Sequence, residues 1–232
     1  MNKVLDVVSR YNTLDEIGFH VVECESTREA LDDAAAEFGR ETRAASIGVK
    51  ELIGSGSAET LSTHNESIIY DEDDMLRYFA LGCLIPAVEG GATVIYDGQK
   101  AATDLLENHP RIARTVVHYV STVYEGQESW HPLVFQSPEY GDVLRYRSQE
   151  STNLVGELPN GVSEGDFYRT VDGVLRDAVI TEHEWQAGEL VIVSNLKTLH
   201  SRTPYSGERR MLRYRYDDPH FKHIVLDKTD NE

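Results

Sequence analysis

The feature that most constrains the fold is a row of short β-forming runs, each closed by a turn signal. Tyr78 to Pro86 is a dense apolar run short enough for a buried strand, and Gly90-Gly91 breaks it before Thr93-Val94-Ile95-Tyr96 resumes. Phe135 to Arg147 reads as strand, Gly-containing turn, strand. Leu190-Val191-Ile192-Val193 and Arg210 to Tyr216 add two more. Helical signals are fewer. Ser26-Thr27-Arg28-Glu29 offers an N-cap followed by a helix over Ala30 to Phe38, closed by Gly39. Residues 99–107 and 110–123 read as helices, the second started by Pro110. Gly165 to Thr181 has Phe167, Val171, Val174, Leu175 and Ala178 near a 3.6-residue period. Many strands and few helices predict a mainly β fold, a sandwich or jelly roll with helical support. The tetrad Asp71 to Asp74 reads as a solvated turn, and residues 227–232 as a frayed tail.

Length and charge limit the function. A chain of 232 residues can bury one substantial core, so 1–232 is expected to form a single domain. The formal net charge of −18 opposes binding to nucleic acid and to anionic membranes, despite a local cluster at Arg209, Arg210, Arg213 and Arg215. No apolar run is long enough to cross a bilayer, and the first ten residues lack the apolar stretch of a secretory signal. Two cysteines, Cys24 and Cys83, imply no disulfide framework, which fits a reducing cytoplasm.

The chemistry is carried by three residues. His64 and Glu66 sit two apart, where side chains on a strand share one face and Asn65 points away. His200 lies far downstream, placed to close the triangle from another strand. Two imidazoles and one carboxylate are the ligand set of a mononuclear non-haem Fe(II) site, with positions left open for other ligands.

Three blocks in order extend this reading. The first is Thr63-His64-Asn65-Glu66. The second is Pro86-Ala87-Val88-Glu89-Gly90-Gly91-Ala92-Thr93, followed by an Asp-Gly turn and a helix. The third runs from Trp185 through Gly188-Glu189-Leu190-Val191-Ile192-Val193 and Asn195 to His200-Ser201-Arg202-Thr203-Pro204, then the arginines. From about Gly18 to about Asp218 the chain resembles the taurine dioxygenase/clavaminate synthase-like family of Fe(II)- and 2-oxoglutarate-dependent oxygenases. That resemblance implies a double-stranded β-helix, a distorted jelly roll with iron at its mouth. It implies His64, Glu66 and His200 as the iron ligands, and no catalytic side chain beyond them.

The resemblance also implies that Thr93 helps hold the carboxylate of 2-oxoglutarate, together with an arginine ten to fifteen residues past the distal histidine. A hydroxyl donates to a carboxylate without adding charge, and a guanidinium matches it as a fork. Arg210 is the first choice by its likeness to the carnitine-pathway branch. Strand alternation puts Arg209 and Arg213 on the opposite face, so a register error of one residue would shift the role to Arg213, with Arg209. Asn195 is read as structural support, and His131 as a packing residue. Relatives that halogenate have Gly or Ala where Glu66 stands, so halogenation is disfavoured.

The implied reaction couples O2 and 2-oxoglutarate to hydroxylation of an unactivated C–H, with succinate and CO2 as co-products. The implied substrate is a small polar metabolite such as an amino acid or a natural-product intermediate. Two other classes compete. A cupin-like metal-binding jelly roll would bind metal without depending on 2-oxoglutarate, and a non-catalytic interaction module would lose nothing on loss of the trio.

Overall fold

The computed structural model describes residues 12–66, 75–120, 128–148 and 158–217. In chain order the elements are α1 (Asn12–Ile17), β1 (Phe19–Glu23), α2 (Arg28–Thr42), β2 (Ala45–Gly54), β3 (Ser57–Ala58), β4 (Leu61–His64) and β5 (Tyr78–Ile85). There follow β6 (Glu89–Gly90), β7 (Thr93–Asp97), α3 (Gly98–Asn108), α4 (Pro110–Ala113), β8 (Val116–Val120), β9 (Glu128–Pro132), β10 (Val134–Ser137) and β11 (Gly141–Leu144). The chain closes with α5 (Glu164–Arg176), β12 (Val179–His183), β13 (Glu189–Ser194), β14 (Thr198–Arg202), β15 (Tyr205–Ser206) and β16 (Arg209–Asp217).

Two antiparallel sheets carry the architecture. The larger has the order β1-β13-β5-β16-β2 and the smaller β12-β7-β14-β4. Alternation along β5 explains how they pack. Phe79, Leu81 and Cys83 join Val191, Val193 and Met211 of the large sheet, meeting Ile95 of the small sheet and Trp185 in a core between the sheets. The intervening Tyr78 and Ala80 face the other way, with Leu190, Ile192, Leu212, Tyr214 and Tyr216. They pack under Leu31, Ala35 and Phe38 of α2. A third core lies outside the small sheet, where Leu199 and Tyr96 meet α3, α5 and the two antiparallel strand pairs β8–β9 and β10–β11. The result is the mainly β, double-stranded β-helix expected from the sequence.

Local differences have local causes. Helix α2 starts at the expected cap, with Thr27 Oγ1 accepting from Ala30 N, but runs through Gly39 to Thr42 and ends at Arg43 with φ 59°. The face carrying Leu31, Ala35 and Phe38 is already anchored, and an interior glycine costs a helix only about 1 kcal/mol. The helix expected over 110–123 stops at Ala113. Val116-Val117-His118-Tyr119-Val120 instead forms β8, because β-branched and aromatic side chains pair with β9. Helix α5 likewise ends at Arg176, and Val179 onward joins β7 as strand β12. The acidic tetrad 71–74 and the tail 227–232 lie outside the described residues.

Gly90-Gly91 is a genuine backbone requirement. Both have positive φ, +67° and +79°, and a Cβ on Gly90 would overlap the carbonyl oxygen of Pro204. The turn they make delivers Thr93 to the inner face of β7, opposite Arg202 of β14.

Candidate metal centre

Strand pairing brings the trio together. His200 of β14 is the register partner of His64 on β4 and of Ile95 on β7, so both histidines face the space between the sheets. Their rings lie 4.3 Å apart, and Phe79 covers His200 at 4.4 Å. Glu66 stands just past the end of β4, two residues on, and still reaches the same point. Its Oε1 is 4.0 Å from His64 Nε2 and 3.8 Å from His200 Nε2. All three residues are buried, and among the described residues theirs is the one cluster of three or more potential metal ligands.

What holds Glu66 off the strand is Asn195, which is fully buried. Asn195 Oδ1 accepts from Glu66 N at 2.8 Å, and Nδ2 donates to Glu66 O at 3.0 Å and Leu76 O at 2.9 Å. Asn65 does the reciprocal work. Its Nδ2 donates to the carbonyls of Asn195 and Thr198, and its Oδ1 accepts from Tyr146 N. The two asparagines lock the loop after β4 to the loop before β14, which fixes the spacing of the trio. Asn195 is thus the support expected. Asn65 was anticipated only as pointing away, and its partners lie too far along the chain to be read from spacing.

The donor set suits a metal ion. His64 Nδ1 lies 2.7 Å from the carbonyl of Ser62, which fixes that nitrogen as the N–H and leaves the Nε2 lone pair facing Glu66 and His200. Burial pushes the pKa of His64 down, against the raising effects of Glu66 and the Ser62 carbonyl. Arg147 and Arg213 add to the lowering. His200 lies well below the ordinary 6.5, first from burial, then from His64, Arg213 and Arg147. Both rings are therefore neutral and able to coordinate near neutral pH. Two imidazoles and a carboxylate on one face are the facial set of non-haem iron.

The arginines divide by strand parity. Arg210 shares the outer face with Leu212 and Tyr214 and pairs with Glu51, Nε at 3.1 Å and Nη2 at 2.5 Å. It faces away from the space between the sheets, so the first choice of anchor is corrected. Arg213 is inward, and its Nη1 donates to Glu66 Oε1 and Oε2 at 3.1 and 3.2 Å. Arg209 is also inward and 7% exposed. It lies against the Tyr205 ring at 5.7 Å, and a Cβ on Gly91 would touch its Nε at 3.5 Å. No carboxylate pairs with Arg209 among the described residues. Its pKa is lowered, first by burial and then by Arg202. Thr93 is buried two residues beyond Gly91 and accepts from Trp185 Nε1 at 3.1 Å.

The profile of the "Taurine catabolism dioxygenase TauD, TfdA family" matches residues 12–215. The chain belongs to the TauD/TfdA dioxygenase family. A curated relative is pentalenolactone F synthase of Streptomyces arenae, 30% identical over 103 residues, which cover 41% of this chain and 33% of that enzyme. Among solved structures, PvcB of Pseudomonas aeruginosa superposes with a TM-score of 0.69 at 17% identity, over 91% of this chain and 79% of that one. An asparagine oxygenase in complex with Fe(II), 3-hydroxyasparagine and succinate gives 0.66 at 16% identity, over 92% and 78%. At these identities the structures establish the shared fold. Within the TauD/TfdA frame, residues not assigned from the sequence stand out. Arg147 bridges to His64 across the strand edge and gives its backbone N–H to Tyr119 Oη. Trp185 was visible in a family block, but not its contact with Thr93. His131 is 1% exposed and stacked on Tyr119 at 5.1 Å, as a packing residue would be.

Proposed function

We propose that residues 1–232 form one domain that acts as an Fe(II)- and 2-oxoglutarate-dependent oxygenase, hydroxylating an unactivated C–H of a small polar metabolite. The observation that carries this is the convergence of His64, Glu66 and His200 between the sheets of a TauD/TfdA fold. His64 Nε2, His200 Nε2 and Glu66 Oε1, the oxygen nearest both rings, would hold the iron, while Arg213 donates to both oxygens of Glu66 and so holds the carboxylate in place. Bound iron with 2-oxoglutarate and O2 supplies the oxidising chemistry, and succinate and CO2 leave as co-products.

The remaining work belongs to this chain. Among the described residues Arg209 is a buried cation with no carboxylate partner, and burial of such a charge favours an anionic ligand. It sits at the Gly91–Thr93 end of the inter-sheet space. Arg209 and Thr93 would therefore grip the distal carboxylate of 2-oxoglutarate, the first by charge and the second by its hydroxyl. Phe79, Met211 and Val193 belong to the buried apolar cluster between the sheets and would keep water from the bound co-substrate. Pentalenolactone F synthase and asparagine oxygenase are similar to this chain, which supports a natural-product intermediate or an amino acid as substrate. The charge of −18 favours a small molecule over nucleic acid as the partner, and no described helix is long and apolar enough to cross a membrane. A cytoplasmic location is part of the same reading.

The test is an anaerobic titration of metal-free protein with Fe(II) and then 2-oxoglutarate, followed by the visible charge-transfer band of the chelate. The band is expected in wild type and in Arg210→Ala, and is expected to need far more 2-oxoglutarate in Arg209→Ala. Bound iron with no band in wild type would favour a cupin-like protein with other chemistry. A band weakened by Arg210→Ala and not by Arg209→Ala would overturn the placement of the anchor.

A further inference from the structure

Trp185 stands on the loop between β12 and β13 with its indole directed into the inter-sheet core. Its Nε1–H donates to Thr93 Oγ1, and both residues are buried. An indole N–H can only donate, whereas a hydroxyl has one proton to give and two lone pairs. The contact occupies one lone pair of Thr93 and leaves its proton uncommitted. Among the described residues no acceptor takes that proton, although Thr93 is 2% exposed. The indole is itself held. The His183 ring meets it edge-on at 4.8 Å, His183 Nε2 pairs with Glu189 Oε2 at 3.1 Å, and Glu189 Oε2 also accepts from Gln186 N at 2.7 Å.

We propose that Trp185 is a positioning residue that turns the Thr93 hydroxyl into a one-way donor toward the distal carboxylate of 2-oxoglutarate. This rests on the reading that the co-substrate lies between Thr93 and Arg209. A free threonine hydroxyl rotates and can present either its proton or a lone pair, and a lone pair repels a carboxylate. With the indole N–H against Oγ1, the rotamer that sends the proton into the space beside Arg209 is favoured before the ligand arrives. The gain is preorganisation, as no new contact to the ligand is made by Trp185. His183 and Glu189 form the layer that keeps the indole in plane.

The experiment is calorimetric binding of 2-oxoglutarate to the Co(II)-loaded protein, anaerobically, for wild type, Trp185→Phe, Thr93→Val and the double variant, with Co(II) affinity measured separately. Losing one hydrogen bond to a charged group weakens binding about tenfold or more, so Thr93→Val is expected to fall by that amount and Trp185→Phe by about five- to tenfold. The double variant is expected to match Thr93→Val, and Co(II) affinity to stay at the wild-type value. In turnover, KM for 2-oxoglutarate rises in Trp185→Phe while kcat at saturation holds. If the loss from Trp185→Phe persists in full on the Thr93→Val background, the indole acts by packing alone and the proposal fails. Wild-type affinity in Trp185→Phe also overturns it.

A second measurement leaves Trp185 intact. The chain has two tryptophans, and Trp130→Phe makes Trp185 the sole tryptophan, excited selectively over the tyrosines at the red edge of the absorption band. Binding of 2-oxoglutarate is expected to change its emission, and to do so in a Thr93→Ser version of that protein, which keeps the hydroxyl. Binding without any change in emission counts against the proposal. Failure of wild-type protein to bind 2-oxoglutarate at all would instead sink the co-substrate reading itself.

Discussion

Asn195→Ala is the sharpest test of how the metal centre is held. The substitution removes three hydrogen bonds from a fully buried position: one to Glu66 N and two to the carbonyls of Glu66 and Leu76. The backbone partners cannot be removed with it. Each buried polar group left unpaired costs about 1 kcal/mol or more, so the three together predict a loss of about 3–4 kcal/mol. At a urea m-value of about 2–3 kcal/mol/M, the unfolding midpoint should fall by about 1–2 M. The same bonds hold Glu66 off the strand end, so metal affinity should drop with stability. The assay is urea unfolding of the metal-free protein, paired with Co(II) titration of the folded variant below the transition. Asn195→Asp gives the internal control. It keeps the acceptor for Glu66 N but sets a carboxylate against two carbonyl oxygens, and should be no more stable than the alanine. A loss below about 1 kcal/mol, or unchanged Co(II) affinity in the alanine variant, would refute the claim that Asn195 builds the site.

Other perturbations follow from the same structure. His131 is 1% exposed and its pKa lies well below the ordinary 6.5, first from burial and then from Arg145. The unfolded chain therefore takes up a proton below pH 6.5 that the folded chain does not. This part of the stability is whole above that pH and is lost as pH falls below it, by up to about 1.4 kcal/mol per pH unit. His131→Phe should flatten the acid side of the urea-midpoint profile relative to wild type, and parallel profiles would refute this. Gly90→Ala should cost about 2 kcal/mol or more, since it combines a left-handed backbone with overlap on Pro204, and thermal unfolding would show it. Phe38→Ala removes a fully buried ring packed edge-on against Tyr78 and Tyr216, and should cost about 3–5 kcal/mol in urea unfolding with little effect on Co(II) binding. Arg210→Ala should leave 2-oxoglutarate affinity unchanged, as its guanidinium is already engaged by Glu51 outside the barrel.

The candidate trio was legible in the amino-acid order because it depends on residue type and on a spacing of two. His64 and Glu66 share a face by strand geometry, and few other sets of side chains combine two imidazoles and a carboxylate. Strand β5 and the start of α2 were likewise readable, since an apolar run and a side-chain cap are local signals. Where helix met strand, local signals failed. Residues 116–120 and 179–183 are strands because β9 and β7 offer them partners, and a partner distant in the chain leaves no mark on the segment itself. The choice among the arginines needed the tertiary structure most of all. Both faces of β16 mix arginine with large apolar or aromatic residues, so alternation defines two sets without saying which is inside. Helix α2 settles it by burying Leu212, Tyr214 and Tyr216, which leaves Arg209, Met211 and Arg213 to the space between the sheets. Composition was blind to that parity, because a period of two is unchanged when the strand turns over, and only packing on one side breaks the symmetry.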